Sequence, residues 1–170
     1  MGIRIGLAGD FCLSGVCSAS DEVRLQSLDT ISSLTKRVNF SIANFEGVIL
    51  PEAAQGGCRC KLGIQPADID ALTDCGFDLF CLANNHVLDC GEEGLAATLE
   101  GLTSAERRYT VGAGYDIKHA MAPFKLRVGG CELAVLNVTD ATHYKATRSK
   151  AGVAPIAEGR LIKAVRTLST

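Results

Sequence analysis

The chain has 170 residues, 47% of them hydrophobic, with a net charge of −2 and an isoelectric point near 5.9. That length suits one domain around one sizeable core. The slightly acidic balance argues against a nucleic-acid partner, and no stretch reaches the roughly 18 consecutive apolar residues that cross a bilayer.

Residues 3–8 form an apolar run ending in Gly9-Asp10, which reads as a buried first strand rather than a signal peptide, so a cytoplasmic protein is expected. Residues 21–37 carry Val23, Leu25, Leu28, Ile31 and Leu34 at near-helical spacing behind a Ser/Asp start signal. Val38, Phe40 and Ile42 alternate through a second strand, 38–43, followed by Asn44-Phe45-Glu46-Gly47. Residues 51–63 are rich in Pro, Gly and Cys and read as an irregular loop, with a short strand around Lys61-Leu62.

Pro66 suits the first turn of a helix that aligns Ile69, Leu72 and Cys75, and Gly76 closes it. A third strand is expected over 77–83, and a helix over 91–105 through Leu95, Leu99 and Leu102. A brief strand at 109–111 precedes Gly112-Ala113-Gly114, which reads as a turn admitting close backbone approach. Segments 124–128 and 131–138 around Gly129-Gly130 predict a β-hairpin, and 158–168 a last, weakly amphipathic helix. Alternating strands and helices make this an α/β protein with a mostly parallel sheet plus an antiparallel hairpin.

The eight cysteines, at 12, 17, 58, 60, 75, 81, 90 and 131, do not require a disulfide framework in a chain with an adequate core. Cys75, Cys81 and Cys131 lie in apolar runs and read as small core residues. Cys58-Arg59-Cys60 lacks the second Cys/His pair of a zinc site, so free thiols are expected throughout.

Three predicted strands end in polar groups: Asp10; Asn44 and Glu46; and Asn84-Asn85-His86 with Asp89. Parallel neighbours would bring these ends to one sheet edge, where α/β proteins build their sites. Carboxylate, amide and imidazole together suit a divalent ion, Mn²⁺, Mg²⁺, Fe or Zn²⁺. Asp10 and Glu46 would supply its charge and Asn85 a neutral oxygen. His86 would protonate a leaving group, Asp89 would orient His86, and Asn44 and Asn84 would contact substrate. Structural roles compete at several positions. Asp10 suits a turn, Asn44 a loop, Glu46 an exposed loop carboxylate and Asp89 a helix N-cap, while His119 and His143 read as solvated.

In order and spacing, Gly9-Asp10, Asn44-Phe45-Glu46-Gly47, the block Leu82-Ala83-Asn84-Asn85-His86-x-x-Asp89-x-Gly91-x-x-Gly94-Leu95-x-x-Thr98-Leu99, and Gly112-Ala113-Gly114 resemble the bacterial CapA-type capsule (poly-γ-glutamate) synthesis family. The resemblance covers nearly the whole chain, and the Asn-Asn-His block is its specific part. That family is similar to the calcineurin-like metallophosphoesterases. The likeness implies the N-terminal part of an αββα sandwich, with Asn85 binding metal and His86 acting on the leaving group. Asp10 would be the first-strand ligand, and Glu46 (or Asn44) the second-strand one.

The family's further His-Trp-Gly-x-Glu-like motif does not occur here. The resemblance therefore implies a single domain over 1–170 without its C-terminal portion and with a half-site: either the chain is truncated, or a second chain, as in a homo-oligomer, completes it. A metal-dependent hydrolase acting on a small phosphoester or a polyanionic polymer is expected. The other reading is a non-catalytic, metal- or polymer-binding component of poly-γ-glutamate synthesis or export, or an inactive truncated homologue.

Overall fold

A computed structural model describes residues 2–13, 21–51, 60–104, 106 and 108–168. Strand β1 (Ile5–Phe11), helix α1 (Asp21–Thr35), β2 (Phe40–Phe45) and the two-residue strands β3 (Val48–Ile49) and β4 (Gly63–Ile64) come first. Helix α2 (Ile69–Asp74), β5 (Leu79–Cys81), α3 (Gly91–Thr103), β6 (Tyr109–Val111) and β7 (Ala113–Gly114) follow. Helix α4 (Ile117–Ala120), the hairpin β8 (Phe124–Val128) and β9 (Cys131–Val135), β10 (Gly152–Val153) and α5 (Glu158–Leu168) complete the described elements.

The α/β class holds. Strands β1, β2, β5 and β6 lie in that order in a four-stranded parallel sheet, consistent with part of an α/β phosphoesterase-like domain. Alternation along β2 builds two cores. Ala43 and Phe45 face the helical side with Phe80, Leu72, Leu95 and Leu102. Phe40 and Ile42 face the opposite side with Leu79 and Val111, where Phe124, Leu126 and Leu133 of the hairpin cover them. Phe40 stacks on Phe124 with ring centroids 5.6 Å apart, which fastens the hairpin to the sheet. Gly129 and Gly130 turn it, with φ of 54° and 88°, values that match a strand-compatible tight turn.

Helix α3 approaches β3 closely. A Cβ at Gly94 would lie 2.8 Å from a Val48 methyl, and one at Gly101 would lie 2.6 Å from the Ile49 terminal methyl. Between them the Thr98 hydroxyl accepts the Ile49 N–H at 2.8 Å and donates to the Gly94 carbonyl at 2.7 Å. Gly94 and Thr98 of the Asn-Asn-His block are thus packing residues.

Several expectations change. β1 runs on through Asp10 and is an edge strand, so it is largely exposed instead of buried; Leu7 is 78% exposed. Pro66 opens a 3₁₀ turn, Pro66–Asp68, before α2, and the short strand after the loop is β4, paired with an unanticipated β3. Ala113–Gly114 is a strand paired antiparallel with β10, so only Gly112, at φ 98°, is the turn residue. Position 105, the expected end of the third helix, lies outside the described residues. The free-thiol expectation holds at Cys12, Cys60, Cys75, Cys81 and Cys131 but fails at Cys90, which is disulfide-bonded. Cys75 is buried in the core and Cys81 half-buried, but Cys131 is exposed instead of core, since it opens β9 at the hairpin turn. Cys17, Cys58 and Arg59 lie outside the described residues.

Candidate functional site

Sheet register decides which polar groups meet. Asp10 pairs with Asn44, and Asn44 with Cys81, so the three stand at one level across β1, β2 and β5. Asn44 Nδ2 donates to Asp10 Oδ1 at 2.7 Å. Beyond β5 the chain leaves the sheet as a loop anchored by Leu82 and Val87, both fully buried. That anchoring lifts residues 84–86 and Asp89 over the carboxyl ends of the strands.

Asn84 shapes the loop. It is 9% exposed, and its Nδ2 donates to the Phe45 carbonyl at 2.8 Å and toward Asn44 Oδ1 at 3.4 Å. Its Oδ1 accepts the N–H groups of His86 and Val87 at 2.9 and 3.2 Å. A buried amide with both ends engaged in this way ties β2 to the loop.

His86 is half-buried. Its Nδ1 lies 3.0 Å from Asp89 Oδ2 and its Nε2 lies 2.9 Å from Asn85 Nδ2, with Glu46 Oε1 3.9 Å away. One arrangement satisfies both close contacts: Nδ1–H donates to Asp89, and Nε2 accepts from Asn85. Asp89 does not cap α3, whose N-cap is Cys90 and has no side-chain cap bond. Asp10, Asn85 and Asp89 are exposed, while Asn44 and Glu46 are half-buried.

Two residues escaped the sequence reading. The Cys60 thiol donates to Asp89 Oδ2 at 3.2 Å, and burial, helped by that bond, pushes its pKa up to about 11. The Asn137 Oδ1 accepts the Ala83 N–H at 2.6 Å, pinning the loop just before Asn84. A lone amide within the apolar run Ala134-Val135-Leu136-Asn137-Val138 was the available signal. His119 is exposed as expected but pairs with Asp116 at 2.9 Å, and His143 is exposed.

The sheet edge therefore gathers Asp10, Asn44, Asn84, Asn85, His86, Glu46 and Asp89 into one polar surface. Their oxygen donors have the chemistry that hard divalent cations take. Among the described residues, however, no group of three or more His, Cys, Asp or Glu side chains is arranged to hold a metal ion. The closed part of the site is the His86–Asp89 pair.

A parallel α/β sheet with an Asn-His loop at its carboxyl edge is consistent with part of an α/β phosphoesterase-like domain. The pattern of the family described as bacterial capsule synthesis protein PGA_cap matches residues 4–168, and the chain belongs to that family. It is similar to the capsule biosynthesis protein CapA of Bacillus anthracis, 30% identical over 115 residues, which are 65% of this chain and 28% of that protein. It is also similar to the PGA biosynthesis protein CapA of Bacillus subtilis (strain 168), 26% identical over 130 residues, 74% of this chain and 34% of that protein. The matched region is thus about a third of the length of these curated relatives. No described helix is long and apolar enough to cross a membrane.

Proposed function

We propose that the chain serves synthesis of a poly-γ-glutamate-type capsule polymer, and that its loop 82–90 carries the acid–base part of a phosphoesterase-like hydrolytic site. The observation that carries this reading is the His86–Asp89 pair over the carboxyl edge of the sheet. With Asp89 holding Nδ1, Nε2 is the ring atom left to exchange a proton with a substrate oxygen in place of Asn85. Asn44 ties β1 to β2 and would meet substrate, whereas Asn84, buried with its amide bonded at both ends, serves by ordering the loop instead of contacting substrate as the sequence suggests.

A divalent cation belongs to this reading, with Asp10, Glu46 and Asn85 as its oxygen donors; when bound it would polarise a phosphoryl oxygen. His86's proton-transfer role does not depend on it. The Cys90 disulfide supports a setting more oxidising than the cytoplasm expected from the N-terminus.

Metal analysis of protein purified without chelator, with turnover of bis(p-nitrophenyl) phosphate in Mn²⁺, tests the proposal. Turnover that His86→Ala abolishes supports it; no metal, no turnover and an inert His86→Ala variant overturn it. The absence of a closed ligand group among the described residues favours a second reading, a non-catalytic component that binds polymer. Polymer binding that persists in EDTA, without turnover, would distinguish it.

A further inference from the structure

The hairpin turns Phe124, Leu126 and Val128 toward the sheet, which leaves Lys125 and Arg127 exposed on its outer face. Helix α5 lies beside that face and buries no residue completely. Between the two elements runs a trench of two adjoining clefts, of about 360 and 320 Å³, which share Lys125 and Leu168 as lining residues.

Four cations line it: Lys125 and Arg127 on the strand, Arg160 and Lys163 on the helix. Alternate strand positions stand about 7 Å apart and helix positions i and i+3 about 4.5 Å apart along their axes, so the charges form two rows along the trench. Among the described residues none of the four is in an ion pair. Glu132, opposite Arg127 in the hairpin register, is the single acid in the lining. A protein with a net charge of −2 thus presents a concentrated basic groove, whose lining includes no residue of the His86 loop.

We propose that this trench binds a linear polycarboxylate. Unpaired, exposed cations in rows attract a polyanion, and a groove confines it to an extended path. Apart from Thr167 the remaining lining is apolar, including Met121 and Leu168, and contains no aromatic side chain. Single-stranded nucleic acid depends on aromatic platforms for base stacking, so methylene-rich chains with carboxylates fit this floor better. The site deepens the capsule-polymer reading and rests on it only for the choice of poly-γ-glutamate as ligand.

Fluorescence anisotropy with labelled poly-γ-glutamate tests the proposal, with oligonucleotides and phosphatidylglycerol vesicles in parallel. Binding should weaken with salt, fall at least tenfold in Lys125→Glu/Arg160→Glu, and tighten in Glu132→Gln. His86→Ala should bind as the parent does, which separates this site from failure of the hydrolytic reading. The charge-reversed residues are exposed, and an unchanged far-UV spectrum shows that the variant folds. No polymer binding at low salt, binding indifferent to the charge reversal, or preference for the oligonucleotide or the vesicles overturns the proposal.

Discussion

His86 Nδ1 lies 3.0 Å from Asp89 Oδ2, a contact made within the loop that follows β5 rather than across the site. A short loop can hold it because Leu82 and Val87 are buried on either side of Asn84 and His86, and because Asn84 ties the intervening backbone. The pair is thus preorganised by packing before any ligand arrives.

If His86 transfers a proton during hydrolysis, His86→Ala should lower turnover of a phosphodiester by about 10²–10⁴-fold. Asp89→Asn should cost less, about 10–100-fold, because the imidazole remains but loses the carboxylate that orients it. Steady-state kinetics on both variants checks the order; equal or negligible losses would remove proton transfer from the proposed function.

Asn84→Ala should destabilise the fold by about 1–3 kcal/mol, since it strips partners from the His86 and Val87 N–H groups and the Phe45 carbonyl. A urea melt measures it. A variant as stable as the parent would mean that the loop is not held by this amide.

At Gly112, φ is 98° and an added Cβ would meet Asn137 Oδ1 and lie 2.9 Å from the Ala83 Cβ. Gly112→Ala should therefore cost more than about 1 kcal/mol and disturb the loop through Asn137 and Ala83. Loss of stability together with weaker turnover is the expected pattern, read by melting and by kinetics on one sample.

Burial holds the thiols of Cys60 and Cys81 up to about 11 and that of Cys75 up to about 12. The folded state keeps these protons longer than the unfolded chain. Their contribution to stability is therefore complete below the ordinary thiol range and is lost as pH rises through about 11 to 12. At pH 8, iodoacetamide should label exposed Cys131 well before Cys60, Cys75 and Cys81, as peptide mass mapping would show.

The outer edge of β1 has no partner strand among the described residues, and Ile5 and Leu7 are 43% and 78% exposed beside it. Such an edge invites pairing. The chain should self-associate at high concentration, and Leu7→Lys should suppress this. Light scattering that finds a strict monomer at all concentrations would dismiss the expectation.

Periodicity alone determined the α/β class, the order of the long elements, the hairpin around Gly129-Gly130 and the polar cluster at residues 84–86 and 89. These follow from local patterns: alternation in 38–43, helical spacing in 91–103 and a glycine pair between two short strands. Tertiary structure decided what no local pattern encodes. Register set Asp10 beside Asn44, and strand order made β1 an edge, leaving its apolar residues in solvent. Long-range contacts brought Asn137 and Cys60 to a loop 54 and 29 residues away, at Ala83 and Asp89 respectively. Pairing and proximity between distant segments depend on how the whole chain packs, so a residue type can announce a site while only the fold selects its neighbours.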